Sequence, residues 1–287
     1  MTETPRIVVG IDGSEPSRVA LRWALAEALV RGSVLEVLHA WHTPLVFVPE
    51  AYSPELVEMG RMDEAALRFV DHELDAIGAD GDCPVVIEKS EAQHFSARAL
   101  VDASHRAELI VLGRHGLGGF PHELMTPKVI QVAHHAVCAV AVVPDAWSGD
   151  GRGVVVGVDG SEHSGKALRW AHDEAHRRSA PLTTVMSWGL LDQHHVHGEQ
   201  RFDPNYTEAD AQGALDGFVT KTLGDGALTV ERTVVNDLPA RALLEASEHA
   251  ELLVVGARGL GGFSDLLLGS VSHRCLAHSA CPTVAIR

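Results

Sequence analysis

The chain has 287 residues, of which 46% are hydrophobic and 22% charged, and its formal net charge is −16. This length suits one large domain or two of ordinary size, with enough apolar material for a buried core. The acidic balance argues against nucleic acid and anionic membranes as partners, because both would be repelled on average. Residues 1–10 show no secretory signal pattern and no segment is a long apolar run, so we expect neither a signal peptide nor a transmembrane helix.

Two long segments of the sequence occur twice. Residues 7–28 match residues 154–175, and residues 96–120 match residues 239–263. The spacing between matching positions is 147 residues in the first pair and 143 in the second, so the first copy carries four extra residues in its middle. A period this long indicates duplicated domains rather than a solenoid, because solenoid repeats span only 20–50 residues.

The boundary between the copies falls in a polar, glycine-rich stretch, DAWSGDGRG. Such composition is typical of a linker, because it offers few apolar side chains to a core. We predict a first domain over residues 1–144, a linker over residues 145–153 and a second domain over residues 154–287. The two domains are called the first and the second repeat below, and each has the size of an ordinary globular domain.

Within the first repeat, short apolar runs alternate with helical patterns. Residues 6–12 form a β-branched run that predicts a buried strand, after which Ser14 and Pro16 mark the start of a helix that stops at Gly32. The remaining predicted strands cover residues 34–41, 85–89, 108–113 and 139–144. The remaining predicted helices cover residues 55–77 and begin near Ser96 and Thr126. The second repeat follows the same order and ends in the strand TVAIR.

This alternation determines the predicted fold class. Strands separated by helices of ten or more residues imply right-handed crossovers and a parallel sheet with helices on both faces. The fold class is therefore α/β, with two tandem, doubly wound, five-stranded Rossmann-like domains. Ligands of such sheets bind beyond the carboxyl ends of the strands, where the strand order reverses. The first strand of each repeat ends there in Asp-Gly-Ser, at Asp12 and Asp159, although an aspartate here can also simply start a turn.

The loop after the fourth strand of the second repeat, GARGLGGFSDLLLGS, is rich in glycine. It lacks the Gly-Lys-Ser/Thr ending of a P-loop, and its glycines are not spaced as in a dinucleotide fingerprint. Nine residues after Gly259 come Gly269 and Ser270, at the predicted start of a helix. Glycine lets the backbone approach a ligand, and a helix start offers unpaired N–H groups and a partial positive charge. We therefore predict a phosphate cradle, with the hydroxyls of Ser270 and Ser272 as further donors.

These motifs together resemble the universal stress protein family, in its tandem-domain, ATP-binding, actinobacterial-like form. The resemblance rests on VVVGVDGSE, VVGARGLGGFSDLLLGSVS and the closing CPTVAIR, and it covers both repeats. It implies the strand order 3-2-1-4-5, ATP in the crevice with or without Mg²⁺, a cytoplasmic location and a homodimer formed through the last strands. It also implies a stress-response regulator that acts through nucleotide-dependent conformation or oligomerisation, with an unidentified downstream protein as partner.

Carried over to the second repeat, the resemblance assigns Asp159 to the adenosine part of ATP and the backbone near Ser187 to the adenine edge. The residues after the fourth strand would line the ribose and phosphates, and the helix start would grip the phosphates. The predicted ATP site of the second repeat consists of Val158, Asp159, Ser187, Val255, Gly256, Arg258, Gly259, Gly269, Ser270, Val271 and Ser272.

The first repeat keeps most of this pattern but changes its ending. The matching positions are Ile11, Asp12, Ala40, Gly113, His115, Gly116 and Lys128. Thr126 and Pro127 replace the Gly-Ser pair, and Pro127 has no N–H to donate, although Thr-Pro remains a good helix start. One lost hydrogen bond to a charged group weakens binding about ten- to a hundredfold. We predict that the second repeat is the main ATP site and that the first binds ATP weakly or not at all, with Lys128 in partial compensation.

Other functions remain open on the sequence alone. No nucleophile–base pair is evident, and no acidic pair for Mg²⁺ beyond the lone Asp159, so we expect no enzyme beyond a trace ATPase. The alternatives are an interaction module that binds no nucleotide and a slow ATPase or nucleotidyl-transfer enzyme. Glycines of the first repeat can be turn residues only, and Trp41 and Trp188 can either pack in the protein or contact a ligand.

Two other groups of residues carry weaker signals. The segment QHHVHG at residues 193–198 is expected to be a solvated loop, with metal binding as the alternative, because companion ligands at a recognised spacing are missing. The four cysteines form no Cys-x-x-Cys pair and are too few for a disulfide framework. We therefore expect no metal site and four reduced, buried thiols.

Overall fold

The computed structural model describes most of the chain. The described residues are 4–41, 55–79, 83–93, 96–116, 125–188, 193–196, 199–202, 206–224, 230–259 and 268–287. They form two compact units, Met1–Cys138 and Ala139–Arg287. Both units have the α/β architecture that the alternating pattern predicts. Among the described residues, no helix combines the length and the apolar character that crossing a membrane requires.

In the described part of the first unit, parallel strands run in the order β3-β2-β1-β4. The strands are β1 (Arg6–Ile11), β2 (Val34–Trp41), β3 (Ile87–Gln93) and β4 (Leu109–Gly113). The helices are α1 (Glu15–Arg31), α2 (Glu55–Ala76), α3 (Ser96–Ala103) and α4 (Pro127–His135). The apolar strands β1 and β4 lie side by side, with Ile7 opposite Leu109, and both of these side chains are fully buried. The carboxyl ends of all four strands therefore meet at one edge of this sheet.

Helix α1 shows why the sequence starts and stops helices where it does. The hydroxyl of Ser14 accepts a hydrogen bond from the N–H of Ser17 (3.2 Å), which satisfies one of the unpaired donors of the first turn. Pro16 fits the first turn because its missing N–H is not needed there. Gly32 ends the helix in the left-handed conformation, with φ of 64°. The predicted limits of this helix are confirmed.

In the second unit, parallel strands run in the order β10-β7-β6-β11-β12. The strands are β5 (Ala139–Val143), β6 (Val154–Gly157), β7 (Leu182–Trp188), β8 (Gln193–Val196), β9 (Glu199–Phe202), β10 (Val230–Asn236), β11 (Leu252–Gly256) and β12 (Thr283–Ile286). The helices are α5 (Glu162–Arg178), α6 (Glu208–Leu223), α7 (Pro239–Ala246) and α8 (Ser270–His278). Numbered within the second repeat, this sheet has the predicted order 3-2-1-4-5. Helices α5 and α6 pack as one pair and α7 and α8 as another, each against the sheet.

Strand β5 joins the second unit although it closes the first repeat in sequence. It pairs antiparallel with β12, with Thr283 opposite Val142 and Ala285 opposite Val140. The compact units therefore divide between Cys138 and Ala139, ahead of the linker predicted over residues 145–153. The pairing satisfies the edge of β12 that would otherwise present unpaired N–H and C=O groups.

The structure corrects two sequence-based expectations. The third strand runs over Ile87–Gln93 rather than residues 85–89, because an edge strand needs no continuous apolar run and its polar second half still pairs with β2. The segment expected to be a loop at residues 193–198 instead contributes β8, which pairs antiparallel with β9. Backbone pairing rather than an alternating apolar pattern holds this hairpin, so the polar sequence gave no strand signal. Residues 197 and 198 lie outside the described residues.

Candidate functional site

In the second repeat, the Asp-Gly-Ser loop is fixed by its own hydrogen bonds. Oδ1 of Asp159 accepts a bond from the N–H of Ser161 (3.0 Å), and the N–H of Asp159 points to the hydroxyl of Ser164 (3.4 Å). Gly160 lies between them with φ of +84°, a conformation that favours glycine. Because Ser161 also caps α5, the helix start and the aspartate are locked together at the carboxyl end of β6.

The glycine-rich loop after β11 lies against this aspartate. A Cβ added to Gly259 would stand 2.4 Å from Oδ2 of Asp159, so a larger residue here would displace the carboxylate. A Cβ on Gly256 would stand 3.0 Å from the carbonyl carbon of His163, in the first turn of α5. The loops after the first and fourth strands therefore meet, as the topology predicts.

The start of helix α8 completes the arrangement. Gly269 is the N-cap and no side chain caps the helix; its N–H donates to the carbonyl of Ala257 (2.7 Å). The first helical bond runs from the N–H of His273 to the carbonyl of Gly269 (2.9 Å). Three backbone N–H groups of the first turn thus have no acceptor within the helix, those of Ser270, Val271 and Ser272.

The serine side chains of this turn differ in role. The hydroxyl of Ser272 is buried and donates to the carbonyl of Gly256 (2.5 Å), which ties α8 to the end of β11. Ser270 is exposed at the helix start. The predicted hydroxyl donation from Ser272 is therefore replaced by a structural bond, and this residue offers its backbone N–H instead.

The predicted adenine-edge residue lies on the neighbouring strand. Ser187 belongs to β7, and its hydroxyl donates to the carbonyl of Asp237, which follows β10. Asp237 is buried, but hydrogen bonds from Arg241 and from the N–H of Leu238 outweigh that burial and lower the pKa of its carboxyl. This contact fixes the carboxyl ends of β7 and β10 relative to each other. Sequence reasoning missed Asp237, whose only signal is its position directly after a predicted strand.

Cationic groups gather beside the cradle. Burial, together with the charges of Arg258 and Lys166, lowers the pKa of His163 below its usual value, while Glu162 and Asp159 act in the opposite direction. The protonated form of His163 is therefore disfavoured in the protein without a ligand. An anion bound between Arg258 and the α8 start would favour the protonated imidazole, so this side chain can respond to a phosphate group.

The first repeat contains a cavity of about 220 Å³ at the matching place. All seven predicted site residues of this repeat line it, among them Asp12, His115 and Lys128. Sequence reasoning missed its apolar wall, to which Leu38 and Leu100 contribute. These residues come from β2 and α3, and only the folded sheet brings them beside the glycine loop.

Helix α4 offers an anion fewer donors than α8 does. The N–H of Thr126 points to the carbonyl of Arg114 (3.4 Å), Pro127 has no N–H, and the hydroxyl of Thr126 accepts from the N–H of Val129 (3.5 Å). In the described part of this turn, one backbone N–H thus lacks an intrahelical acceptor, that of Lys128. The corresponding number for α8 is three.

At the start of α4, where backbone N–H donors are missing, Lys128 supplies a positive charge. Nζ of Lys128 lies 3.3 Å from Oδ2 of Asp12, in an ion pair that is partly shielded from solvent. The matching residue of the second repeat is Val271, which carries no charge. The carboxylate of Asp12 also accepts from the N–H and hydroxyl of Ser14, at 3.2 and 2.6 Å.

Helix α2 lies against the Asp12-Gly13-Ser14 loop of the first repeat. A Cβ on Gly13, whose φ is +84°, would stand 2.9 Å from the ring of Phe69. The buried carboxylate of Glu73 binds Arg18 of α1 through two hydrogen bonds of 2.9 and 3.0 Å. Gly165 occupies the matching position to Arg18 in the second repeat, so the same bridge cannot form there.

The remaining sequence signals have structural explanations. Cys275 and Cys281 are buried, and burial raises the pKa of Cys275 to about 12, whereas Cys83 and Cys138 are half-buried. The ring of Trp188 lies beside that of Tyr206, with centroids 6.3 Å apart. Within the described residues, no group of three or more histidine, cysteine, aspartate or glutamate side chains is arranged to hold a metal ion.

Comparison with known proteins places the chain in a family. The sequence profile of the universal stress protein family matches residues 3–144 and residues 152–287. The universal stress proteins Rv2005c and Rv2623 of Mycobacterium tuberculosis are 33% and 32% identical to this chain, over 98% of it and 96% of their own length. A solved universal stress protein from Archaeoglobus fulgidus shares the fold, with a TM-score of 0.68 at 19% identity over 99% of both chains. This chain, with one family match in each repeat, is a tandem member of the universal stress protein family.

Proposed function

We propose that this protein is an ATP-binding regulator of the stress response and that its second repeat is the main ATP site. The observation that carries the proposal is the first turn of α8, where three backbone N–H groups lie free of intrahelical acceptors. Such donors, together with the helix dipole, hold a phosphate without any basic side chain. An acidic chain needs this local arrangement, because its overall field repels anions.

The surrounding residues fit the rest of a nucleotide. Asp159 lies 2.4 Å from the position of a Cβ on Gly259, so a ligand held by the glycine loop also meets a carboxylate that can accept from ribose hydroxyls. Arg258 supplies a cation beside the same loop. A Mg²⁺ ion that accompanies ATP often uses one carboxylate plus phosphate oxygens, and Asp159 is the candidate carboxylate.

The arrangement favours holding ATP over cleaving it. Backbone N–H groups stabilise phosphate charge in the ground state as well as in the transition state, and such uniform binding does not speed the chemical step. Asp159 accepts a bond from the N–H of Ser161, so its carboxylate is engaged in shaping the loop rather than positioned as a general base. We therefore propose a binding protein with at most a trace ATPase activity, located in the cytoplasm.

Nucleotide-dependent conformation or oligomerisation is the proposed output. A homodimer is part of this proposal, but the edge of the last strand is not available to pair with a second chain. Strand β12 lies between β11 and β5, so its second edge is already paired. A dimer therefore uses a face or another edge of the molecule.

The test is a count of tightly bound ATP per chain. The purified protein is emptied of nucleotide and titrated calorimetrically, both as wild type and with Gly269→Thr and Ser270→Pro. The double substitution copies the helix start of the first repeat, so we expect the fold to persist. Position 270 then has no backbone N–H, and the threonine hydroxyl at position 269 accepts a hydrogen bond from the backbone N–H of Ser272. We expect one tight site in the wild type and an affinity loss of at least about ten- to a hundredfold in the variant.

Pro127→Ala in the first repeat is the matched control, and it should leave the tight site unchanged. Two equally tight sites in the wild type would show that the first repeat binds ATP as well as the second. An unchanged affinity in the double variant would show that the α8 donors do not hold the ligand.

A further inference from the structure

Helix α2 of the first repeat and helix α6 of the second occupy matching places beside an edge strand. Asp71 of α2 pairs with Lys89 of β3, and Asp216 of α6 pairs with Arg232 of β10 at 3.2 Å. Lys89 and Arg232 lie opposite matching residues of the neighbouring strands, so Asp71 matches Asp216. The same spacing of 145 residues relates the buried positions of the two helices, which are Ala66, Val70 and Leu74 in α2 and Ala211, Leu215 and Val219 in α6.

Helix α6 carries two exposed glycines in its middle. Apart from the helix's own backbone, no described atom lies within 4 Å of the Cβ that Gly213 or Gly217 would carry. The matching residues of α2 are Arg68 and His72. A glycine inside a helix weakens it, because its backbone loses more freedom on folding than that of any other residue. The two glycines therefore lower the stability of α6, and the described residues offer no packing reason for them.

The contact of each helix with its neighbour also differs. In the first repeat, Glu73 of α2 binds Arg18 of α1 through hydrogen bonds of 2.9 and 3.0 Å. The matching residues of the second repeat are Phe218 and Gly165, and a Cβ on Gly165 would stand 3.6 Å from the phenyl ring. An apolar contact of this kind has no preferred direction. Helix α6 thus lacks the bidentate bond that fixes α2 on α1.

The strand beneath α6 carries an unpaired polar group. Thr184 of β7 is fully buried, and its hydroxyl has no hydrogen-bond partner among the described residues. It lies opposite Arg232 in the parallel register, and Arg232 bonds to Asp216 of α6, so Thr184 points to the side of the sheet that α6 covers. The first repeat has Val37 at the matching place. Burying a hydroxyl without a partner costs free energy that water would return, which favours opening of this layer.

The start of α6 is more firmly held than its middle. Thr207 and Asp210 form a capping box, in which the N–H of Thr207 donates to the carboxylate of Asp210 (2.9 Å) and the N–H of Asp210 donates to the hydroxyl of Thr207 (3.3 Å). Directly before this box, the ring of Tyr206 lies beside that of Trp188, at the end of β7. Residues 206–210 therefore provide a fixed end for the rest of the helix.

We propose that α6 opens locally about this fixed end while the strands of the second repeat stay paired. Opening would uncover the α6 side of β7 and β10 and bring water to Thr184. We expect no such opening of α2, which has no glycine at the two matching places and is bonded to α1. The opening itself needs no ligand. Its use as a nucleotide-dependent output rests on the proposed ATP-binding function, because Trp188 follows the predicted adenine-edge residue Ser187.

Hydrogen exchange of the nucleotide-free, full-length chain, followed by mass spectrometry, measures the opening. We expect protection of the amides of residues 211–219 to be at least about tenfold lower than that of residues 66–74, and lower than that of β11, whose exchange reports opening of the whole second repeat. Gly213→Ala and Gly217→Ala should each raise the protection of α6 by about fivefold. Thr184→Val should raise it by at least about fivefold, because the closed state then buries no unpaired hydroxyl.

Arg68→Gly with His72→Gly is the matched control, and it should lower the protection of α2 and leave that of α6 unchanged. The proposal is wrong if α6 is protected as strongly as β11, since the helix would then open only with the whole repeat. It is also wrong if the two alanine substitutions leave the protection of α6 unchanged. Failure of the proposed ATP function is a different observation, the absence of tight ATP binding in the wild-type chain, and it does not alter exchange in the nucleotide-free protein.

Discussion

Helices α4 and α8 start at matching positions of the two repeats but treat their first-turn N–H groups in opposite ways. The hydroxyl of Thr126 accepts a hydrogen bond from one first-turn N–H, and Pro127 has no N–H. Gly269 and Ser270 leave the first-turn N–H groups of α8 without a side-chain cap. Capping a helix and binding an anion compete for the same N–H groups. The residues that start a helix best therefore weaken the anion site, and the difference in stability between a threonine and a glycine cap is only a few tenths of a kcal/mol.

The loops at Asp12 and Asp159, in contrast, are built alike in the two repeats. Both repeats hold the aspartate by the same two bonds: its carboxylate accepts from the N–H two residues later, and its own N–H donates to the serine hydroxyl five residues later. In both, a Cβ on the facing glycine would stand 2.4 Å from Oδ2 of the aspartate. What differs is the charge beside the aspartate: the ammonium of Lys128 pairs with Asp12, whereas the matching residue of the second repeat is the uncharged Val271. The repeats thus share the aspartate loop and differ at the helix start, which is where the proposed function places the phosphates.

The largest expected effect comes from converting the first repeat to the pattern of the second. Thr126→Gly, Pro127→Ser and Lys128→Val together restore the missing donors and remove the ion pair with Asp12. We expect ATP affinity of the first repeat to rise by about ten- to a hundredfold for each donor that engages a phosphate. Calorimetric titration should then report two sites per chain instead of one.

The control for this conversion is Lys128→Val alone, which removes the charge without restoring donors. A second ATP site in that single variant would mean that charge, and not the helix start, separates the repeats. A triple variant that still binds one ATP would mean that the cavity shape excludes the triphosphate.

A smaller effect is expected from pH in the second repeat. The pKa of His163 is lowered in the free protein, first by burial and then by Arg258 and Lys166. A nearby triphosphate raises that pKa, so ATP binding takes up a proton. Affinity should therefore increase as pH falls through the pKa of the complex and decline as pH rises above it, by up to about tenfold for each unit of pKa change.

Calorimetry of ATP binding in buffers of different ionisation enthalpy measures this proton uptake. His163→Gln should abolish the part that belongs to the protein and leave the titration of the ATP phosphate itself. The first repeat has Pro16 at the matching position, so it has no counterpart of His163. Equal uptake in wild type and His163→Gln would exclude His163 from the site.

The smallest expected effect concerns the serine caps. Ser14→Ala and Ser161→Ala each remove a cap bond and should lower the free energy of unfolding by about 1 kcal/mol. The loss should be larger for Ser14, because its hydroxyl also donates to Oδ1 of Asp12 at 2.6 Å. Urea unfolding measures both, with Ser148→Ala in the exposed linker as a neutral control. A larger loss for Ser161 would reverse the comparison of the two loops.

Much of the fold was predictable because its signals are local. The cap at Ser14, the stop at Gly32 and the buried run of β1 depend on residues within one element. The edge strand β3 was misplaced because its pairing with β2, and not its own pattern, extends it to Gln93. The β8–β9 hairpin was missed for the same reason, since it is defined by pairing between polar segments.

The duplication, the α/β class and the difference between Gly-Ser and Thr-Pro can be read from the sequence, because repeats, periodicity and the missing N–H of Pro127 are properties of the chain. The pairing of Lys128 with Asp12, 116 residues away, and the cavity wall formed by Leu38 and Leu100 arise only when the chain has folded. The same holds for the pairing of β5 with β12. Contacts between distant residues depend on how strands and helices assemble, and no local pattern encodes them.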